Sequence, residues 1–327
     1  MIETLLRNWI VGILFTLAML CLLWIPDFIG YNHATLLFRV PFMGAQFDGN
    51  MFAHTGYRLI TIVMALFNGF SIVILCLRFL SLGRANVIVP LYYLVLVFSY
   101  PQARLFSTAF IATLFVIFGL FALFTAGESQ KTVAPLFLSS FLSGCACLLY
   151  MPSLVMVVSF IVIAVTLNLF HGRNIFVFLG GILVSVGSCI VYRYVFLDAS
   201  SDSIGAIFEG FCHIRFNPAI PTPATLFMTL VFIYLVGRGV LHWLHYSLGN
   251  MSYRNRVLLS FVWMLLICGV ATLLYAGVLY GYLSLLALPA SILIAYYFSE
   301  ERNAKRTKAE FIVLLLAIAF NQVAYFM

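Results

Sequence analysis

The chain has 327 residues, 64% hydrophobic and only 8% charged, with a mean hydropathy of +1.12 and a formal charge of +7. A soluble domain averages about 25% charged residues and has no core that could hide this much apolar surface, so a soluble globular fold is excluded and lipid is the solvent for most of the chain. The 17 Lys and Arg residues are scattered over short connections, the pattern of membrane topology signals rather than of a nucleic-acid surface.

Eleven apolar segments follow one another. The first, Trp9 to Ile25, is longer than the apolar core of a cleavable leader. It runs into Pro26-Asp27 with no small-residue cleavage site, so it reads as a retained span. The first long break comes next, Pro26 to Arg58, holding Asp27, Asn32, His33, Arg39, Asp48, Asn50, His54 and Arg58. A polar loop of this length is where chemistry in such a chain is expected.

The remaining segments are 59–80, 87–100 (carrying Pro90), 105–126, 134–150, 152–170, 175–196, 225–244, 257–275, 280–298 and 311 to the C-terminus. A helix of about 20 residues spans the hydrocarbon. The third and fifth segments are shorter than that, which predicts tilted, incomplete or shielded helices. The expected fold is all-α, a single transmembrane domain over residues 1–327 with about 11 transmembrane helices. Charge then sets orientation. With the N-terminus cytoplasmic, 11 Lys and Arg fall inside and five outside, and Arg238 lies within the eighth span. The C-terminus is accordingly expected outside. Long outer loops are expected at about 26–58 and 197–224, and a charged cytoplasmic connection at about 299–310.

The seven cysteines have no metal-type spacing, and six of them lie inside apolar runs, where they read as small hydrophobes. The densest polar cluster is Asp48, Asn50, His54 and Arg58. If the chain is helical from Asp48, the last three fall at i, i+4 and i+8 on one face, with Asp48 as N-cap. The plainer reading of that stripe is a capped helix at the lipid–water boundary. The functional reading makes Asp48 a general base, or one ligand of a divalent metal, at the outer surface. Arg104, in the tight turn Ser99 to Arg104, either clamps a phosphate or snorkels to head groups; Arg193 and Arg215 face the same choice. Arg238, His242 and His245 follow helical spacing and read as an interfacial anchor or a lipid-phosphate site. No span carries an acid near its centre, which argues against a proton-coupled transporter. No Ser-His-Asp order, P-loop, CxxC or HExxH occurs.

Two resemblances follow from the layout. Residues 101–173 read PQARLFSTAFIATLFVIFGLFALF, a short polar link, then LFLSSFLSGCACLLYMPSLVMVVSFIVIAVTLNLFHGR. This stretch resembles an uncharacterised family of bacterial polytopic inner-membrane proteins of unknown function. More distantly, the layout resembles the GT-C superfamily of membrane glycosyltransferases, which use polyprenyl-phosphate sugar donors and carry an essential acid in a long first outer loop. The resemblance implies a bacterial inner-membrane location and a polyprenyl-phosphate-linked sugar handled at the outer face. It makes Asp48 the matching catalytic acid and His54, Arg58, Arg104 and Arg215 the ligand-binding residues. The second acid of that superfamily has no counterpart in Gln102 to Ser107. The alternative is a non-catalytic scaffold or subunit of an envelope complex, or a lipid or glycan translocator. Expected partners are membrane lipids and other membrane proteins, with no nucleic acid.

Overall fold

A computed structural model describes residues 9–29, 38–39, 46–47, 54–80, 88–100, 107–128, 132–196, 223–247, 252–274, 279–300 and 304–326. Among them are eleven α-helices: α1 (Trp9–Ile29), α2 (His54–Phe79), α3 (Val89–Phe98), α4 (Thr108–Glu128), α5 (Val133–Leu149), α6 (Leu154–Thr166), α7 (Arg173–Phe196), α8 (Pro223–Ser247), α9 (Tyr253–Leu274), α10 (Leu279–Glu300) and α11 (Ala304–Phe326). A 3-10 turn, Met151–Ser153, leads into α6. Each helix falls on one of the eleven apolar segments. The departures from all-α are β1 (Phe38–Arg39) and β2 (Gln46–Phe47), an antiparallel pair between α1 and α2. Seven helices are long and apolar enough to cross a membrane; α1, α3, α5 and α6 offer shorter apolar stretches. The outward faces match a lipid solvent. Phe176 and Leu183 on α7, Val63 on α2 and Leu316 on α11 are all more than half exposed, and a soluble monomer does not display such continuous apolar faces.

Helix direction alternates along the chain, as side-chain pairings show. Asn68 of α2 bonds to Phe110 of α4 and Arg78 to Glu128, so α2 and α4 are parallel and α3 must return the chain between them. Gly144 abuts Ser185 and Ser140 abuts Gly181, so α5 and α7 are parallel with α6 returning. Gly239 abuts Leu293 and His242 faces Tyr296, so α8 and α10 are parallel. Arg254 pairs with Glu300 and Cys268 faces Tyr282, so α9 runs against α10. Tyr234 bonds to Glu310 and Phe227 faces Phe320, so α11 runs against α8. One end of the bundle gathers Arg78, Arg173, Arg254, Arg256, Lys305, Arg306 and Lys308 at helix ends; it is called the basic end below. This is the end that the charge count predicts to be cytoplasmic.

The short third helix is shielded. Ten residues rise about 15 Å, roughly half the hydrocarbon thickness, and every residue from Val89 to Phe98 is buried. Its sequence, VPLYYLVLVF, is apolar on all sides, the signature of a helix with no solvent face. Pro90 sits in the first turn, where a missing N–H costs nothing. The helix packs against α1, α2 and α10. Interior polar groups join helices across this core: Asn68 Nδ2 donates to the Phe110 carbonyl at 3.0 Å, and the Thr113 and Ser284 hydroxyls lie 3.0 Å apart. Asn321 Nδ2 of α11 donates to the Ser99 carbonyl at 2.6 Å.

At the periphery, α7 is buried over only 17% of its span, against 83% for α10. It rests on α5 through small residues. A Cβ on Gly181 would stand 2.7 Å from the Phe137 carbonyl oxygen and meet the Ser140 hydroxyl; one on Gly144 would meet the Ser185 hydroxyl. Ser140-x-x-x-Gly144 on one helix against Gly181-x-x-x-Ser185 on the other lets two backbones touch. In lipid, such small-residue packing replaces the hydrophobic drive.

The turn from α6 to α7 uses a left-handed residue. Asn168 has φ 58°, its N–H bonds to Val165 O, and the N–H of Leu169 reaches back to Ala164 O at 2.8 Å. This is a Schellman cap with asparagine where glycine is usual. Asn168→Gly is expected to leave thermal stability within a few tenths of a kcal/mol, whereas Asn168→Val should lower it by about 1–2 kcal/mol. Thermal unfolding of the detergent-solubilised variants checks both.

The charged stretch 299–310 is divided between two helices: α10 runs to Glu300 and α11 starts at Ala304. Glu310 therefore sits in the second turn of α11, inside the apolar span Lys305–Ala324, rather than in a connection. None of the six described cysteines forms a disulfide.

Candidate functional site

Of the residues expected to act at the outer loops, Asp48, Arg104 and Arg215 lie outside the described residues, as does Asn50. The described part of α2 opens at His54, and Arg58, half-buried, follows one turn later. These two stand at the end of the bundle opposite the basic end, where the connection holding β1 and β2 arrives.

A different polar constellation is fully described. It lies where α8, α10 and α11 converge toward the basic end. Glu310 is 8% exposed, and its Oε1 accepts hydrogen bonds from the Tyr234 hydroxyl of α8 at 2.9 Å and from Arg306 Nε, one turn earlier on α11, at 3.2 Å. Glu310 Oε2 has no hydrogen-bond partner among the described residues. Tyr297 of α10 interacts with both Glu310 and Arg238. Arg238 Nη2 of α8 reaches the Tyr297 hydroxyl at 3.4 Å, with its guanidinium 5.3 Å from the ring centroid. His242 lies edge-on to Tyr296 and Tyr297. At the rim, Arg254 of α9 pairs with Glu300 at 2.9 Å and stands over the Tyr296 ring.

Elementary electrostatics explains why these groups sit together. A carboxylate this far from water is stable only with donors or cations at hand. Two tyrosine hydroxyls and two arginines from three helices supply them. Arg238, expected to turn outward to head groups or a lipid phosphate, instead turns inward over Tyr297. Glu310 is thus a buried acid within a span, but it lies in the second turn at the basic end and not near the span's centre. Glu310 was legible in principle. It lies four residues after Arg306, one helical turn, and directly before the apolar run FIVLLLAIAF. Its charged neighbours made the stretch read as a connection. Tyr234 and Tyr297 carried no signal, because one tyrosine among 17 is unremarkable until the helices are docked.

No group of three or more His, Cys, Asp or Glu suited to a metal occurs among the described residues. What the cluster can do is hold a buried charge toward the basic end of the bundle and present one carboxylate oxygen to a donor.

Helices of alternating direction, lipid-type outer faces and an ion-paired acid inside a span define a polytopic helical membrane protein. More narrowly, the chain belongs to a family of unknown function, DUF6427, whose family model covers residues 35–326. No curated protein and no solved structure matches it.

Proposed function

We propose that the protein handles a polyprenyl-phosphate-linked sugar at the membrane face opposite the basic end, in the manner of a GT-C-like glycosyltransferase of a bacterial inner membrane. The observation supporting this reading is the arrangement at that face. A long connection with its own β pair leaves the first helix and lands on His54 and Arg58 at the head of the second. That layout matches the superfamily's long first outer loop, which carries its essential acid. Asp48 is the proposed base or metal-associated acid, and Arg58, Arg104 and Arg215 the phosphate contacts. A guanidinium fork suits a phosphate better than an ammonium does. The test is mass spectrometry of lipids that co-purify with the wild type and with Asp48→Asn and Arg104→Ala. Polyprenyl-phosphate or lipid-linked sugar retained by the wild type and depleted in the variants supports the reading. Bulk phospholipid alone in all samples sinks it.

A second reading, a translocator of the same class of lipid, is favoured by Glu310. Ionisable groups inside membrane spans are costly and concentrate on transport pathways. Wild-type protein in liposomes would then speed transbilayer movement of a fluorescent polyprenyl phosphate, and Glu310→Gln would slow it. Equal rates with and without wild-type protein count against this reading.

A further inference from the structure

We propose that Asn321 of α11 and Thr229 of α8 are positioning residues: they fix the end of α3 from which the chain runs to Arg104, and so set where that guanidinium meets a lipid phosphate. The inference rests on the phosphate-lipid reading above and adds how that site is held. Three consecutive residues lead out of α3, and each is tied to a different helix. Phe98 meets Trp24 of α1 edge to face, with ring centroids 5.2 Å apart. The Ser99 carbonyl accepts from Asn321 Nδ2 at 2.6 Å, across 222 residues of chain. The Tyr100 hydroxyl lies 2.7 Å from Thr229 Oγ1. Thr229 Oγ1 uses its one hydrogen on the Thr225 carbonyl at 2.7 Å, so Tyr100 is the donor.

Backbone chemistry explains the first tie. The last carbonyls of a helix have no partner within it, and Ser99 is buried, so its carbonyl needs a donor from the protein. Asn321 is 3% exposed within the apolar run FIVLLLAIAFNQ, where an amide is costly unless bonded. One hydrogen bond satisfies both. On the far side of the turn Ser107 caps α4, its Oγ accepting from the Ala109 N–H at 3.2 Å. Residues 101–106 therefore join two anchored ends. Arg104 lies outside the described residues, but chain length alone keeps it within about 14 Å of Tyr100 and about 11 Å of Ser107. Loosening Asn321 or Thr229 frees one end of this short tether. Productive placement of a binding group is lost over a shift of about 1 Å, so neither residue has to touch the ligand to matter.

Binding of undecaprenyl phosphate to the full-length protein in detergent tests this, with the dissociation constant read by native mass spectrometry and unfolding midpoints measured in parallel. Arg104→Ala should weaken binding, as the phosphate-lipid reading requires. Asn321→Leu and Thr229→Val, which keeps the side-chain shape and loses the hydroxyl, should each weaken it by roughly tenfold. Thr229→Ser, which restores the hydroxyl, should bind like the wild type. Added to Arg104→Ala, Thr229→Val should weaken binding no further, because a contact already removed cannot be misplaced. Wild-type affinity in Thr229→Val, or a loss that adds to that of Arg104→Ala, overturns the positioning role and leaves the phosphate-lipid reading standing. Wild-type affinity in Arg104→Ala overturns that reading and the positioning role with it. If Asn321→Leu folds poorly, the Thr229 variants decide alone.

Discussion

Gly181→Ala is expected to part α5 from α7 and to lower the midpoint of thermal unfolding more than any other single methyl added to the α5–α7 seam. The new Cβ would stand 2.7 Å from the Phe137 carbonyl oxygen and 3.0 Å from the Phe141 nitrogen. Both are backbone atoms of a helix, so neither can swing aside. The helices must separate, and the contact energy of the seam goes with them. Overpacking of this kind costs about 1–3 kcal/mol. Because α7 is joined to the described bundle almost wholly through α5, little else holds it in place.

Gly144 gives the contrast. Its added Cβ would meet the Ser185 side chain, hydroxyl first and Cβ at 2.9 Å. Gly144→Ala should therefore be rescued by Ser185→Gly, whereas Gly181→Ala should not be rescued by Ser140→Gly, because the Phe137 carbonyl remains. Unfolding midpoints of the four variants and the wild type decide this. Rescue in both pairs would mean that the backbones do not approach as closely as described.

The second large effect is expected at Arg306. Arg306→Ala should destabilise by about 1–3 kcal/mol, the range for leaving a buried polar group short of a partner. It leaves a buried carboxylate with the Tyr234 hydroxyl as its remaining donor on Oε1. A fully buried pair would lose about 3–5 kcal/mol when broken. The Arg306 side chain is 45% exposed, so water already screens it and the smaller figure applies. Glu310→Gln should cost less than Arg306→Ala, since a Gln carbonyl still accepts from both partners while the charge disappears. Glu310→Met should be close to neutral for stability, because the partners it leaves, Arg306 and Tyr234, are each about half exposed and can turn to water. Thermal unfolding orders the three variants, and Glu310→Met as the least stable would overturn this account. If Glu310→Met is as stable as the wild type yet lowers lipid transfer in liposomes, the carboxylate serves function rather than folding.

Both effects bear on what a one-dimensional reading can recover. The lipid solvent, the eleven helices and the approximate ends of each followed from apolar run length alone. In lipid each helix must satisfy its own backbone, so a long apolar run has a single outcome. The alternation of direction follows too wherever the connection is a few residues long, since such a link cannot carry the chain back across. The shielding of α3 was signalled by its apolar character on all sides, although which helices shield it was not. The charge asymmetry was equally plain and reappears as the basic end.

What the sequence by itself determined, then, is the solvent, the number of helices and their order, because each of these depends on local composition. Only the tertiary structure decided which helices touch. It set Gly181 against the Phe137 carbonyl and turned Arg238 inward over Tyr297. It also made Glu310 an interior acid rather than part of a charged connection. These contacts join positions from 41 to 76 residues apart, as between Ser140 and Gly181 or Tyr234 and Glu310. Helix docking in lipid depends on close shape fit and on a few hydrogen bonds. Neither leaves a periodic trace in the chain, so only the docked helices reveal them.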